Sequence, residues 1–97
     1  MTFSDDDRVS VPAGVHAREF DGELVVLDLQ RGDYFGLDEV GARAWAELAR
    51  GRSPRQVAAL LSGEYNVDEA RVLADVRTLV QTLLERGLVT TEIGDRK

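Results

Sequence analysis

The side chains able to do covalent or acid–base chemistry in this 97-residue chain are few and scattered. His16 is the single histidine, and there is no cysteine. That removes a histidine pair for a metal, a thiolate metal site and a cysteine nucleophile. No serine sits in a turn with a histidine and a carboxylate at triad spacing, and no glycine-rich loop cradles a phosphate. Gly32 and Gly36 do not form a dinucleotide fingerprint, because no helix opens on them at the required spacing. Asp5-Asp6-Asp7 lacks the further ligands of a calcium loop and reads as a solvated charge run. The 18 carboxylates supply no acid–base pair by themselves. The expectation is a protein that is not an enzyme and carries no cofactor.

What remains is the chemistry of the backbone itself. Leu24 to Leu29 is rich in aliphatic and β-branched residues, and Tyr34 to Leu37 in aromatic and aliphatic ones, as in strands. Gln30-Arg31-Gly32 joins them, with a glycine suited to a left-handed turn position. Val25, Leu27 and Leu29 point to one face, and Leu24, Val26 and Asp28 to the other. The second strand, Asp33 to Leu37, is short and runs at once into Asp38, a helix-capping residue. It is therefore a candidate sheet edge, with spare N–H and C=O groups.

The elements that would hold this edge follow the hydrophobic pattern. Val9 and Val11 suggest a short edge strand. Val15 to Phe20 forms a strand that turns at Asp21-Gly22 into Glu23, giving a three-stranded antiparallel meander. Asp38 caps a helix from Glu39 to about Arg50, stopped by Gly51, with Val40, Ala44, Trp45 and Leu48 as its apolar stripe. Ser53-Pro54-Arg55-Gln56 is a capping box. Its helix runs to about Ser62 with Val57, Leu60 and Leu61 inward, and Gly63 ends it. Asp68-Glu69 opens the longest helix, to about Arg86, with Gly87 as its stop. Its apolar residues Val72, Leu73, Val76, Leu79, Val80, Leu83 and Leu84 cover an arc of about 140°, wider than the ~100° that packing on one neighbour requires. Either this helix packs centrally on both sheet and helices, or part of the arc near Val72, Asp75, Val76 and Leu79 lines a groove. Leu88 to Thr91 adds a final short strand or packs beneath the helix. The organisation is an acidic tail over 1–8, one domain over 9–91 and a polar tail over 92–97. The fold class is α+β: a winged helix-turn-helix-like domain with the sheet ahead of three helices.

Charge narrows the use of that fold. The formal net charge is −6 and the isoelectric point about 4.7, the wrong sign for a nucleic-acid binder. On the long helix Arg71, Arg77 and Arg86 are balanced by Glu69, Asp75 and Glu85. The start of the chain has no apolar signal core, and no run is long enough to cross a bilayer. With no cysteine, a reducing, cytoplasmic location fits. Two uses remain: capture of an extended peptide on the strand edge, or DNA binding as a small regulator, which charge opposes.

The run Val26-Leu-Asp-Leu-Gln-Arg-Gly-Asp-Tyr-Phe-Gly-Leu-Asp-Glu-Val-Gly-Ala-Arg-Ala-Trp45 resembles the PqqD-like family of peptide-recognition domains. Gly51-Arg-Ser-Pro, Asp75-Val76 and Arg86-Gly-Leu-Val89 resemble it too, so that the likeness spans Val11 to Thr91. Asp38 stands where the family usually has Asn, and both residues cap helices. The resemblance implies a recognition element that binds the leader of a ribosomally made precursor peptide as an added strand. Carried onto this chain, it implies leader contacts at Asp33, Tyr34, Phe35, Gly36 and Leu37, and at Val72, Asp75, Val76, Leu79 and Leu83. Within the family, the Gly-x-Tyr-Phe-Gly-Leu wording is most similar to the free-standing leader binders of lasso peptide biosynthesis. Those work with a cysteine-protease-like leader peptidase and a cyclase. The alternative is the PqqD of pyrroloquinoline quinone synthesis, whose partner is a radical SAM enzyme; the Leu-Ala-Pro-Glu-like stretch of that branch is missing here.

Overall fold

In the computed structural model, residues 3–21 and 23–91 are described, and they form β1 (Val9–Ser10), β2 (Val15–Phe20), β3 (Glu23–Asp28), β4 (Asp33–Leu37), α1 (Glu39–Ala49), α2 (Pro54–Tyr65), α3 (Glu69–Glu85) and β5 (Thr90–Thr91). Gly22 and the segment 92–97 lie outside the described residues, and so do residues 1 and 2. The turn after Asp21 and the polar tail expected at the end of the chain therefore fall outside it.

The β3–β4 hairpin is set by Asp28. Its Oδ1 accepts from the N–H groups of Gln30 (3.1 Å) and Arg31 (3.2 Å), while its carbonyl accepts from Gly32 N (2.8 Å). The buried carboxylate thus satisfies turn donors that would otherwise lack partners. Gly32 takes φ 76°, the left-handed conformation that the sequence predicts for it. The sheet order is β2-β3-β4, all antiparallel, with Val15 opposite Asp28 and Leu24 opposite Leu37. Val26 and Leu37 are buried on the inner face, whereas along β2 only Val15 is buried. A second, two-stranded ladder pairs Val9 with Thr91 and Ser10 with Thr90. Both short strands suggested by the sequence exist, although Val11 lies just outside β1.

The helices begin where their caps predict. Asp38 Oδ1 accepts from Gly41 N at 2.8 Å, Ser53 and Gln56 form the reciprocal capping box, and Asp68 accepts from Arg71 N. The end of α2 differs from expectation. Gly63 lies inside the helix, which continues to Tyr65 and closes on Asn66 in the left-handed conformation (φ 56°). Asn tolerates that conformation better than most residues, and it stops the helix in place of the glycine. Leu48, Leu61, Val57, Val80, Leu83, Leu88 and Val26 form the dry centre, with Trp45 buried against them. Burying a Leu or Val side chain fully contributes about 1.5–3 kcal/mol each, so this cluster fixes α1, α2 and α3 to the inner sheet face. Val40 is a correction to the predicted α1 stripe: it is 46% exposed. Leu60, predicted inward, is half-buried.

The acidic run at the start is also more than a solvated face. Asp5 receives two hydrogen bonds from Arg77 (2.8 and 2.6 Å), Asp6 receives one from Arg55 (2.9 Å), and Asp5 O accepts from Arg55 N. The segment therefore bridges the start of α2 and the outer side of α3. The bidentate Arg77 contact lowers the Asp5 pKa, against the opposing effect of partial burial. A second charged cluster ties α1 to α2. Buried Glu47 accepts from Arg43 and Arg52, both at 2.7 Å, and Arg43 reaches Glu64. The Arg43 contact, then Arg52, holds the Glu47 carboxyl below the usual range.

Candidate functional site

β4 is one of the two terminal strands of the three-stranded sheet, and its open edge is the one beside the cleft. Alternation in an antiparallel ladder points the backbone groups of Tyr34 and Gly36 to one side, and those of Asp33, Phe35 and Leu37 to the other. The Tyr34 carbonyl meets the Arg86 guanidinium at 3.5 Å, across from β3. Tyr34 and Gly36 thus present their N–H and C=O groups on the free side. Arg86 also lies over the Phe35 ring, 5.1 Å from its centroid, and its own carbonyl accepts from Arg31. The first half of the edge is therefore screened by the Arg86 side chain, while the second half, from Gly36 onward, opens into a cleft.

That cleft has a volume of about 800 Å³. Gly36 and Leu37 of β4 form one lip, with Asp38, Val40, Gly41 and Ala44 of the α1 start beside them. Leu61 and Tyr65 of α2, followed by Val67, close the end. Arg71, Val72, Asp75, Val76 and Leu79 of α3 form the opposite wall. The floor is apolar because Leu61, Val72 and Val76 are core residues showing one side to it. Exposed Val40 and Val67 flank the mouth, and exposed Arg71 and Asp75 give the rim one charge of each sign. Such a site offers apolar pockets for side chains and backbone donors and acceptors along one lip. Among the described residues no group of His, Cys, Asp or Glu could hold a metal ion, and no helix is long and apolar enough to cross a membrane.

Six of the ten residues implied by the family resemblance meet at this cleft: Gly36, Leu37, Val72, Asp75, Val76 and Leu79. Asp33, Tyr34 and Phe35 lie on the same strand but not in its lining. Tyr34 projects to the outer sheet face and is 69% exposed. Leu83 is a correction. It is fully buried in the core and does not line the cleft, since the α3 arc turns inward below Leu79. The lining also includes Asp38, Val40, Gly41, Ala44, Leu61, Tyr65, Val67 and Arg71, which the sequence reading did not assign to the site. Tyr65 was within reach, because an α2 ending on Asn66 would have placed it one turn beyond Leu61.

A three-stranded sheet ahead of three helices, with an edge strand opening onto a helix-walled cleft, defines the class of PqqD-like recognition elements. The family model described as Coenzyme PQQ synthesis protein D (PqqD) matches residues 23–89, and the chain belongs to that family. Three solved structures share the fold. One is TbiB1 in complex with the TbiA(beta) leader peptide, at 36% identity and TM-score 0.75, covering 82% of this chain and 93% of that one. Another is a lasso peptide synthetase B1 complexed with the leader peptide, at 29% identity and TM-score 0.78, covering 84% and 96%. The third is the PqqD truncation of Methylobacterium extorquens PqqCD, a stand-alone recognition element for ribosomally synthesized and post-translationally modified peptides. It shows 28% identity and TM-score 0.74, covering 91% and 94%. No curated protein matches the chain.

Proposed function

We propose that this protein binds the leader segment of a ribosomal precursor peptide and delivers it to a leader peptidase and cyclase in lasso peptide biosynthesis, without catalysing a reaction itself. The observation that carries this reading is the free side of β4 at Gly36, opening onto the apolar cleft walled by α3. A leader laid there gains backbone hydrogen bonds to the Tyr34 and Gly36 groups and buries alternate side chains against Val72, Val76 and Leu79. Each edge hydrogen bond contributes about 0.5–1.5 kcal/mol net. Two apolar anchors supply roughly 3–6 kcal/mol before association costs. The two neighbours solved with leader peptides support the choice of occupant. The family description favours a second reading, in which the receiving partner is the radical SAM enzyme of pyrroloquinoline quinone synthesis.

The test is titration of a fluorescently labelled synthetic leader, in parallel with short duplex DNA at low salt. Saturable one-to-one binding of the leader, with none of the DNA, is expected. Absence of leader binding refutes the function. Adding each purified partner enzyme to the loaded protein then separates the lasso reading from the quinone one.

A further inference from the structure

Arg86 is the C-cap of α3, exposed to water at the hairpin end of β4. Its guanidinium lies 5.1 Å from the Phe35 ring centroid and 3.5 Å from the Tyr34 carbonyl oxygen, a long hydrogen bond. Its backbone is held as well. Arg31 Nη1 donates to the Arg86 carbonyl at 3.2 Å. Gly87 (φ 72°) keeps that space open, because a Cβ there would come within 2.8 Å of the same Nη1. The charge of Arg86 is not neutralised. Asp33 faces Arg31 at 3.9 Å, Asp28 is occupied by the N–H groups of its turn, and Glu85 accepts from Gln81. Among the described residues Arg86 forms no ion pair, whereas Arg43, Arg52, Arg55 and Arg77 each have a carboxylate partner. At the far end of the cleft Arg71 has Asp75 one helical turn away, so the unbalanced cation stands at the hairpin end.

On the leader-binding reading above, on which this inference rests, a strand paired with β4 places one of its own N–H groups on the Tyr34 carbonyl. Arg86 then loses that acceptor and is covered by the leader, yet its guanidinium stays charged at any working pH. A covered cation without a partner is costly, and a carboxylate is the group that fits its planar fork. We infer that Arg86 is a specificity-determining residue that reads one aspartate or glutamate of the leader. Leu79 precedes Arg86 by two turns of α3, so the two share one face, about 10 Å apart along the axis. Leader side chains on the facing side recur about every 7 Å. The acidic residue therefore lies roughly two positions from the side chain seated at Leu79, toward the hairpin end. The net charge of −6 disfavours acidic residues elsewhere along the leader, so the same pair fixes its register.

The experiment titrates the labelled leader against the full chain and its Arg86→Gln variant by fluorescence anisotropy. Leaders in which each Asp or Glu is changed singly to Asn or Gln are titrated beside it. One amide leader is expected to bind the wild-type protein about tenfold more weakly, the scale of a charge-assisted hydrogen bond. Arg86→Gln should weaken the native leader by the same factor. It should leave the affinity of that amide leader within about twofold, since the pair is then already broken. Arg86→Lys, which keeps the charge without the fork, should recover part of the loss. A merely structural C-cap would weaken every leader alike, and that result overturns the pair. So does an Arg86→Gln variant that binds the native leader as well as the wild type or better, because Arg86 then only screens the edge. The amide series on the wild-type protein decides the matter even where Arg86→Gln fails to fold. If no amide leader loses affinity, or the native leader holds no acidic residue, the inference falls and the cleft reading stands. Failure of the native leader to bind the wild type overturns the cleft reading, and this proposal with it.

Discussion

Replacing Leu79 by Asp separates a peptide-binding cleft from a merely structural groove. Leu79 is half-buried on α3 and lines the cleft beside Val76. Full burial of a leucine is worth about 1.5–3 kcal/mol, and roughly half of that is already realised in the free protein. The leader should therefore gain about 1 kcal/mol from Leu79, and Leu79→Ala should weaken binding about fivefold. Aspartate adds the loss of water from a carboxylate covered by the leader, about 1–3 kcal/mol more. The sum, roughly 2–4 kcal/mol, corresponds to a 30- to 1,000-fold weaker complex. In the free protein the new carboxylate still reaches water through the open cleft, so folding suffers less than binding. Thr78→Asp places the same charge one residue away, on an exposed position outside this cleft. Fluorescence anisotropy with labelled leader reads the affinities, and thermal unfolding checks the fold. If Leu79→Asp is folded and binds as the wild type does, or if Thr78→Asp weakens binding equally, the cleft is not where the leader lies.

Gly36→Pro removes an N–H on the free side of β4 and is expected to weaken leader binding about 2- to 10-fold while leaving the β3–β4 ladder in place. Phe35→Pro removes an N–H facing β3, and its first effect should be a lower unfolding midpoint. Asn66→Val forces a β-branched residue into the left-handed conformation and should cost about 1–2 kcal/mol in urea unfolding. The pKa values of Asp5 and Glu47 are depressed in the folded state by their arginine partners, so both stabilise the fold above the ordinary carboxylate range of about 4. That stabilisation is lost as pH falls below this range, and unfolding at pH 7 and pH 3 should show a smaller difference for Asp5→Asn than for the wild type.

Local signals in the sequence reached much of this fold. Asp38, Ser53 and Asp68 each announce a helix start through their own side chains, and Gly32 announces the hairpin, because these interactions span three or four residues. Depth was not legible in the same way. The α3 pattern names Leu79 and Leu83 as members of one stripe, but only packing decides that the first opens to the cleft and the second is sealed. Val40 obeys the α1 period and still stays outside, because the helix end projects past the core at the cleft mouth. Asp5 meeting Arg77 across 72 positions has no local trace at all. The α2 boundary failed for a different reason: Gly63 is a plausible stop, yet a helix ends where a left-handed residue has carbonyls to close on, and Asn66 met that condition.

The β1–β5 ladder sets Val9 directly opposite Thr91. Opposed residues in such a pair lie about 5 Å apart, so the first and last strands of the domain lie side by side. A unit of that shape can be spliced into a surface loop of a host protein without spreading the loop.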